Sequence, residues 1–264
     1  MGHEFELRKE ITLDATPEQV WEAIATGPGI DAWFMGRNQV EPREGGAARM
    51  TLAGVTEEST VTAWEPPKRF ATRSPQAEDG TFMAFEYLIE GRADGTTVLR
   101  LVQSGVLGDD WETEYDALGA GWDLYLHSLA EYLRWFRGRS ATVVAAMRPQ
   151  AADQEQAWRL LTRELGLAGA VAVGDRARIA LPGSVPVDGV VDYADLPTFL
   201  GVRTDDGLYR FIHAGPQRGD VVVLGHHIFA GAADQGGIER AWQSWLDRLF
   251  PEHEHPTDGK AEQA

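Results

Sequence analysis

The sequence predicts an α+β protein made of two tandem copies of one plan: a short helix, a run of antiparallel strands and a long closing helix. Three observations predict it. The segment Glu18-Gln19-Val20-Trp21-Glu22-Ala23-Ile24 returns as Glu155-Gln156-Ala157-Trp158-Arg159-Leu160-Leu161, a spacing far too long for a solenoid repeat and suited to two related domains. Strand-like runs then follow one another with no helix between them, which is a meander and not a βαβ alternation. Each series ends on an amphipathic helix that carries Trp at helical spacing.

The first copy opens with a strand over Glu6 to Leu13. In Asp14-Ala15-Thr16-Pro17, Thr16 can cap a helix and Pro17 suits its first position. That helix runs to about Thr26, with Val20, Trp21 and Ile24 on its apolar face, and Gly27-Pro28-Gly29 stops it. Ile30 to Phe34 reads as a second short helix or turn. Strands follow from Gly45-Gly46 through Leu52, over Thr60 to Trp64, over Arg69 to Thr72 after the Pro66-Pro67 turn, over Phe82 to Glu90 and over Thr96 to Gln103. From Leu118, apolar residues at Trp122, Tyr125, Leu126, Leu129, Tyr132, Leu133 and Phe136 hold helical spacing for about five turns.

The Ala- and Pro-containing segment between Arg139 and Asp153 is the best boundary. Beyond it come a helix over Glu155 to Leu165, strands near residues 177–180, 189–193, 198–202, 209–213 and 221–224, and a closing helix with Ile238, Trp242, Trp245, Leu246, Leu249 and Phe250. The expected division is a domain over 1–138, a linker over 139–154, a shortened domain over 155–250 and a polar, breaker-rich disordered tail over 251–264.

Composition excludes several classes. A net charge of -17 repels phosphate backbones and anionic lipid, so nucleic acid is not an expected partner. No apolar run approaches the ~20 residues that span a bilayer, and the first residues lack the basic and apolar regions of a signal peptide; the expected location is the cytoplasm, without membrane insertion. The absence of cysteine removes disulfides, thiolate metal sites and cysteine nucleophiles.

Ala15-Thr16-Pro17-Glu18-Gln19-Val20-Trp21, the Trp33-Phe34 pair, Gly45-Gly46, Trp64-Glu65-Pro66-Pro67-Lys68-Arg69-Phe70, Gly95-Thr96-Thr97-Val98-Leu99 and Gly121-Trp122 together resemble the START-like (SRPBCC) superfamily. The branch is the one related to the C-terminal domain of the activator of the heat-shock-protein-90 ATPase. The resemblance covers about residues 5–138 and implies a helix-grip fold: a curved antiparallel sheet around a long C-terminal helix, often with a cavity between them. Such domains hold apolar or polycyclic ligands, move lipids or, in some branches, cyclise polyketides. Glu155-Gln156-Ala157-Trp158, Pro197-Thr198-Phe199 and the Trp242 helix carry a weaker resemblance, which makes the second half a degenerate copy.

Catalytic signatures are missing. There is no G-x-S-x-G, H-E-x-x-H or G-x-x-x-x-G-K, and Gly27-Pro28-Gly29 follows a helix, where a dinucleotide fingerprint would follow a strand. His226 and His227 are adjacent, so on a strand they face opposite ways and cannot chelate one ion. His253 and His255 belong to the tail, and His127 and His213 read as surface or boundary residues. The acidic run Asp109 to Asp116 reads as an exposed approach to the long helix, near one mouth of the implied cavity, where selectivity could be set. No catalytic residue, metal site or cofactor is expected.

The aromatic residues carry the functional expectation. Trp33, Phe34, Trp64, Phe85, Tyr87, Trp111, Trp122 and Tyr125 are expected to line the helix-to-sheet gap, with Arg100 or Gln103 as polar anchor; these two lie on opposite faces of their strand, which leaves the choice open. Strand parity puts Met83, Phe85, Tyr87 and Ile89 on one face. The competing reading is a gap filled as core. The favoured function is binding of an apolar or aromatic small molecule in the first domain. A co-chaperone-like protein-interaction role is the alternative, and a cyclase or aromatase is the third, for which the sequence offers no acid–base pair.

Overall fold

A computed structural model describes residues 2–52, 54–181, 184–231 and 234–251 of the chain. The expected tail lies outside these residues apart from Pro251, as do His253 and His255. The first copy is β1 (His3–Leu13), α1 (Pro17–Ala25), α2 (Gly27–Ile30), β2 (Arg37–Val40), β3 (Ala47–Leu52), β4 (Val55–Glu65), β5 (Arg69–Arg73), β6 (Phe82–Gly91), β7 (Thr97–Leu107) and α3 (Trp111–Glu131), which continues as a π turn over Tyr132–Phe136. Its seven strands form one antiparallel sheet in the order β1-β7-β6-β5-β4-β3-β2.

Local chemistry sets the first helix as its sequence implies. The Thr16 hydroxyl accepts from Gln19 N, and the Gln19 side chain accepts in return from Thr16 N, which is a capping box. The expected stop differs in detail. Thr26 ends α1 and its hydroxyl accepts from Gly29 N, so the Gly-Pro-Gly segment forms α2 itself.

The second copy is β8 (Thr142–Arg148), α4 (Gln154–Glu164), β9 (Arg176–Ile179), β10 (Val187–Asp195), β11 (Phe199–Arg203), β12 (Gly207–His213), β13 (Val222–Ile228) and α5 (Gln235–Leu249). Six strands run in the order β8-β13-β12-β11-β10-β9. This is the order of the first sheet with one outer strand fewer. Both copies turn from their fourth-strand equivalent into the next through a cis prolyl bond, Pro66-Pro67 and Leu196-Pro197, and both carry a register irregularity just before it, at Val61/Ala63 and Val191/Tyr193. The helix-grip plan is therefore present twice, the second time shortened.

The expected linker over 139–154 is corrected by β8. Residues 142–148 pair with β13 along its whole length, as β1 pairs with β7, so the second sheet draws its edge strand from that segment.

The two copies pack back to side. One face of α3 puts Trp122, Leu126 and Leu129 into the core of the first sheet. Its other face meets the outer surface of the second sheet. There Arg210 forks onto Asp192 (Nη1 to Oδ1 2.9 Å, Nη2 to Oδ2 2.8 Å), donates from Nε to Ser128 Oγ at 2.9 Å, and His127 Nε2 lies 3.1 Å from Asp192 Oδ2. Burial alone would raise the Asp192 carboxyl, but the Arg210 charge and the His127 and Arg210 hydrogen bonds outweigh it and hold it below its ordinary value. Arg203 pairs with Glu131 at 2.8 Å. His227 faces the Asp31 carbonyl oxygen at 2.8 Å, and Phe229 stacks on Phe136. A carbonyl only accepts, so His227 Nδ1 carries its proton.

Candidate functional site

The sheet of the first copy presents a row of rings to α3. Phe85 lies opposite Gln103 and Tyr87 opposite Leu101 on β6 and β7, which puts all four on the inner face. From α3, Trp122 meets Phe85 at 6.0 Å and Tyr87 at 6.4 Å between ring centres. From the loop after α2, Phe34 stacks on Trp122 at 5.4 Å and meets Tyr125 at 4.7 Å. Trp33 backs Phe34 and is locked by its indole N–H on Ala23 O at 2.9 Å.

Pairing of β7 resolves the choice between Arg100 and Gln103. Arg100 points outward, where Glu10 and Glu90 hold it at 2.6 and 2.8 Å; it is not an anchor. Gln103 points inward and is 1% exposed. Its Oε1 accepts from Trp122 Nε1 at 2.6 Å, and its amide nitrogen has only the Met83 sulfur at 3.5 Å. A thioether is a weak acceptor, so an amide donor sits among rings nearly unspent.

Two expected lining residues stand elsewhere. Trp64 packs under α1 against Trp21 and Phe70, because Trp21 projects from α1 onto that end of the sheet. Trp111, at the first position of α3, stacks on His3 of β1 at 5.0 Å. Trp33, Phe34, Phe85, Tyr87, Gln103, Trp122 and Tyr125 are the expected residues that come together.

Those rings touch one another and occupy the gap, so the closed cavity expected on the binding reading is filled by the protein's own side chains in this state. The filling is uneven. Tyr87 and Trp122 are buried, whereas Phe34, Phe85 and Tyr125 are only partly buried, as is most of the first half of α3. That half has no side-chain cap at Asp110 and contains Gly119 and Gly121. A shallow depression of about 360 Å3, lined by Gln19, Glu22, Ala23, Tyr132, Leu133 and Arg137, lies between α1 and the π turn, away from the rings.

Among the described residues, no group of His, Cys, Asp and Glu is placed to hold a metal ion, and no helix is long and apolar enough to cross a membrane. In the acidic run, Glu112 and Asp116 are exposed. His127 is a boundary residue between the copies. His213 is fully buried, with Nε2 on Ala152 O at 2.9 Å and Nδ1 accepting from Gly215 N, a structural role inside the second copy rather than at its surface.

Sequence comparison finds the same half of the chain. Residues 14–134 match the family described as "Activator of Hsp90 ATPase homolog 1-like protein". The first copy, from just after β1 into the π turn, is similar to this family. Its helix-grip fold is joined to a second copy of the same plan. No curated protein matches the chain by sequence. Similar solved structures include protein MLL2253 from Mesorhizobium loti, 23% identical over 49% of this chain and 97% of that one, with a TM-score of 0.44. The di-domain ARO/CYC BexL of the BE-7585A biosynthetic pathway is 13% identical over 94% of this chain and 99% of that one, at 0.46. The Aha1 dimer from Colwellia psychrerythraea is 19% identical over 51% of this chain and 99% of that one, at 0.43.

Proposed function

We propose that the activator-like domain binds an apolar, aromatic small molecule between α3 and the first sheet, entering past Phe34 and Tyr125. The observation that carries this reading is Gln103: a buried amide donor whose partner among the described residues is a sulfur, at the centre of a ring-lined gap whose outer members are partly exposed. Apolar walls with one or two convergent polar groups are the usual composition of a small-molecule site. Binding displaces Phe34 and Tyr125 from Trp122 and gives the Gln103 amide an oxygen acceptor. The groups lining the gap are rings and a neutral amide, and burial pushes the Tyr87 hydroxyl pKa up, so the reading is of binding and not of acid–base turnover.

The filled gap favours one competing reading, a domain that acts through its outer surface on a protein partner. Native mass spectrometry of the full chain purified from its own host separates the two. A co-purified small molecule, lost in Gln103→Leu, is the expected result. Bare protein in both, together with a stoichiometric protein partner in a pull-down, would replace the binding reading with the interaction reading.

A further inference from the structure

The depression between α1 and the π turn stands apart from the rings of the grip, and its walls carry both signs of charge. Glu22 lines it from α1 and Arg137 from the end of the π turn, over a floor of Ala23 and Leu133. Its volume of about 360 Å3 suits a small molecule.

Neither charge is spent. Among the described residues, Glu22 has no cation within ion-pair distance and Arg137 has no carboxylate. The guanidinium has one side-chain partner, the neutral Gln19 Oε1 at 3.0 Å, and that oxygen already accepts from Thr16 N at 2.9 Å. A guanidinium offers five N–H donors in a planar fork, so most of this fork remains open. Glu22 and Arg137 share one depression and yet do not pair with each other.

Helix electrostatics explain one of these charges only. The macrodipole favours a cation where α3 closes through its π turn, which suits Arg137. It disfavours a carboxylate in the last turn of α1, and Glu22 stands there with no basic residue in that turn. Nearby, the Tyr132 hydroxyl has its pKa raised by burial first, with the Gly138 N–H opposing and the Glu22 charge adding to the rise.

The wall that carries Arg137 is held from behind. Phe229 of the second copy stacks on Tyr132 at 5.9 Å and on Phe136 at 4.3 Å, and the Phe229 carbonyl accepts from Arg139 Nη2 at 2.6 Å. π turns are frequent at functional sites, and this one turns Leu133 and Arg137 toward α1 while Phe136 meets the second copy. Gly138, with a φ of 76°, carries the chain away directly after Arg137.

We propose that this depression binds a free α-amino acid with an apolar side chain, its carboxylate on Arg137, its ammonium on Glu22 and its side chain toward Leu133 and Ala23. A planar fork takes a carboxylate through two parallel hydrogen bonds, and an ammonium supplies the positive charge that the last turn of α1 lacks. The site uses no residue of the ring-lined gap, so either can fail without the other.

The test uses the full chain, labelled for NMR at arginine Nε and leucine methyl groups, and three probes with one side chain. These are L-leucine, N-acetyl-L-leucine, which lacks the ammonium, and L-leucinamide, which lacks the carboxylate. L-leucine is expected to shift the Arg137 Nε and Leu133 methyl resonances, and each blocked probe to bind at least about tenfold more weakly, the size of one lost charge-assisted contact. Glu22→Gln should lower L-leucine affinity by a similar factor without weakening N-acetyl-L-leucine, and Arg137→Gln should do so without weakening L-leucinamide. Both side chains are exposed, and the wild-type comparison of probes answers the question by itself. Equal binding of the three probes, silence of both resonances at millimolar L-leucine, or shifts confined to leucines of the grip such as Leu101 and Leu126 would each overturn the proposal.

Discussion

Gly119→Ala and Gly121→Ala together test whether α3 is built to open. Both glycines lie inside α3, where Gly costs about 1 kcal/mol relative to Ala. Neither is required by packing. A methyl group at Gly121 meets nothing within 4 Å, and one at Gly119 meets only Leu7 Cδ1 at 3.5 Å, an ordinary contact. The double variant is therefore expected to gain about 2 kcal/mol, or roughly 4–8 °C in the unfolding transition that includes the first copy. If a ligand must lift the first half of α3 by unwinding at these glycines, the same 2 kcal/mol is charged against binding. Affinity for an aromatic probe such as 9-fluorenone then falls by up to about 30-fold. Thermal melting by circular dichroism and a binding titration on the same samples are sufficient. A lowered melting temperature would refute the packing argument. A raised melting temperature with unchanged affinity would refute opening through α3.

Stability should fall with acidity because His227 is buried neutral between the copies, its pKa lowered to about 4 by burial, with the Asp31 carbonyl contact opposing. The unfolded chain takes up the proton below its ordinary value of about 6.5, so this contribution is complete above that pH and is lost as pH drops toward 4, about 3 kcal/mol in all. The Asp31 carboxyl, raised by burial against its Asn38 hydrogen bonds, works in the opposite sense at the low end. Urea midpoints from pH 7 to 5 should slope for the wild type and slope less for His227→Gln, where His226, also buried with its pKa lowered, still contributes in the same sense; equal slopes would dismiss the assignment. Arg210→Met should cost about 3–5 kcal/mol by leaving the buried Asp192 carboxylate with His127 but without its guanidinium, and adding Asp192→Leu should recover most of it. A single-variant cost below about 1 kcal/mol, read from urea unfolding, would count against a buried pair. Gly201→Ala should weaken the same pair, since its methyl group would meet Arg210 Nη1 at 2.5 Å and Asp192 Oδ1 at 2.9 Å; a variant as stable as the wild type would show that the fork has room to shift.

What could be read from sequence was what is decided locally. Thr16 and Pro17 start α1 with groups a few residues apart, and the spacing from Leu118 to Phe136 belongs to one helix whatever it packs against. β2 escaped because its pattern, Arg37-Asn38-Gln39-Val40, is polar on both faces at a sheet edge. β8 escaped because Ala145 and Ala146 have little strand preference and the segment is held by β13, far along the chain. Gln103 could not be told from Arg100 before pairing, since parity says which residues share a face but not which face is inward. Whether the gap is open or filled turns on the side-chain rotamers of Phe34 and Tyr125, which no pattern encodes.

The outer faces of the two sheets show where the copies have parted. At the places of Thr62 and Glu86, which face solvent or partly so in the first copy, the second has Asp192 and Arg210, buried against α3. Association of the copies accounts for that change. It does not account for the inner face. A leucine in place of Gln103 would spare the amide nitrogen, whose partner is the Met83 sulfur at 3.5 Å, but would leave the buried Trp122 indole N–H without its acceptor, at about 1–3 kcal/mol. Gln103 nevertheless presents its amide donor to a gap of rings, beside a helix whose preceding turn is weakened by Gly119 and Gly121. An underused amide donor and a glycine-weakened turn at the same end of the first grip are what the proposed ligand needs to enter and be held.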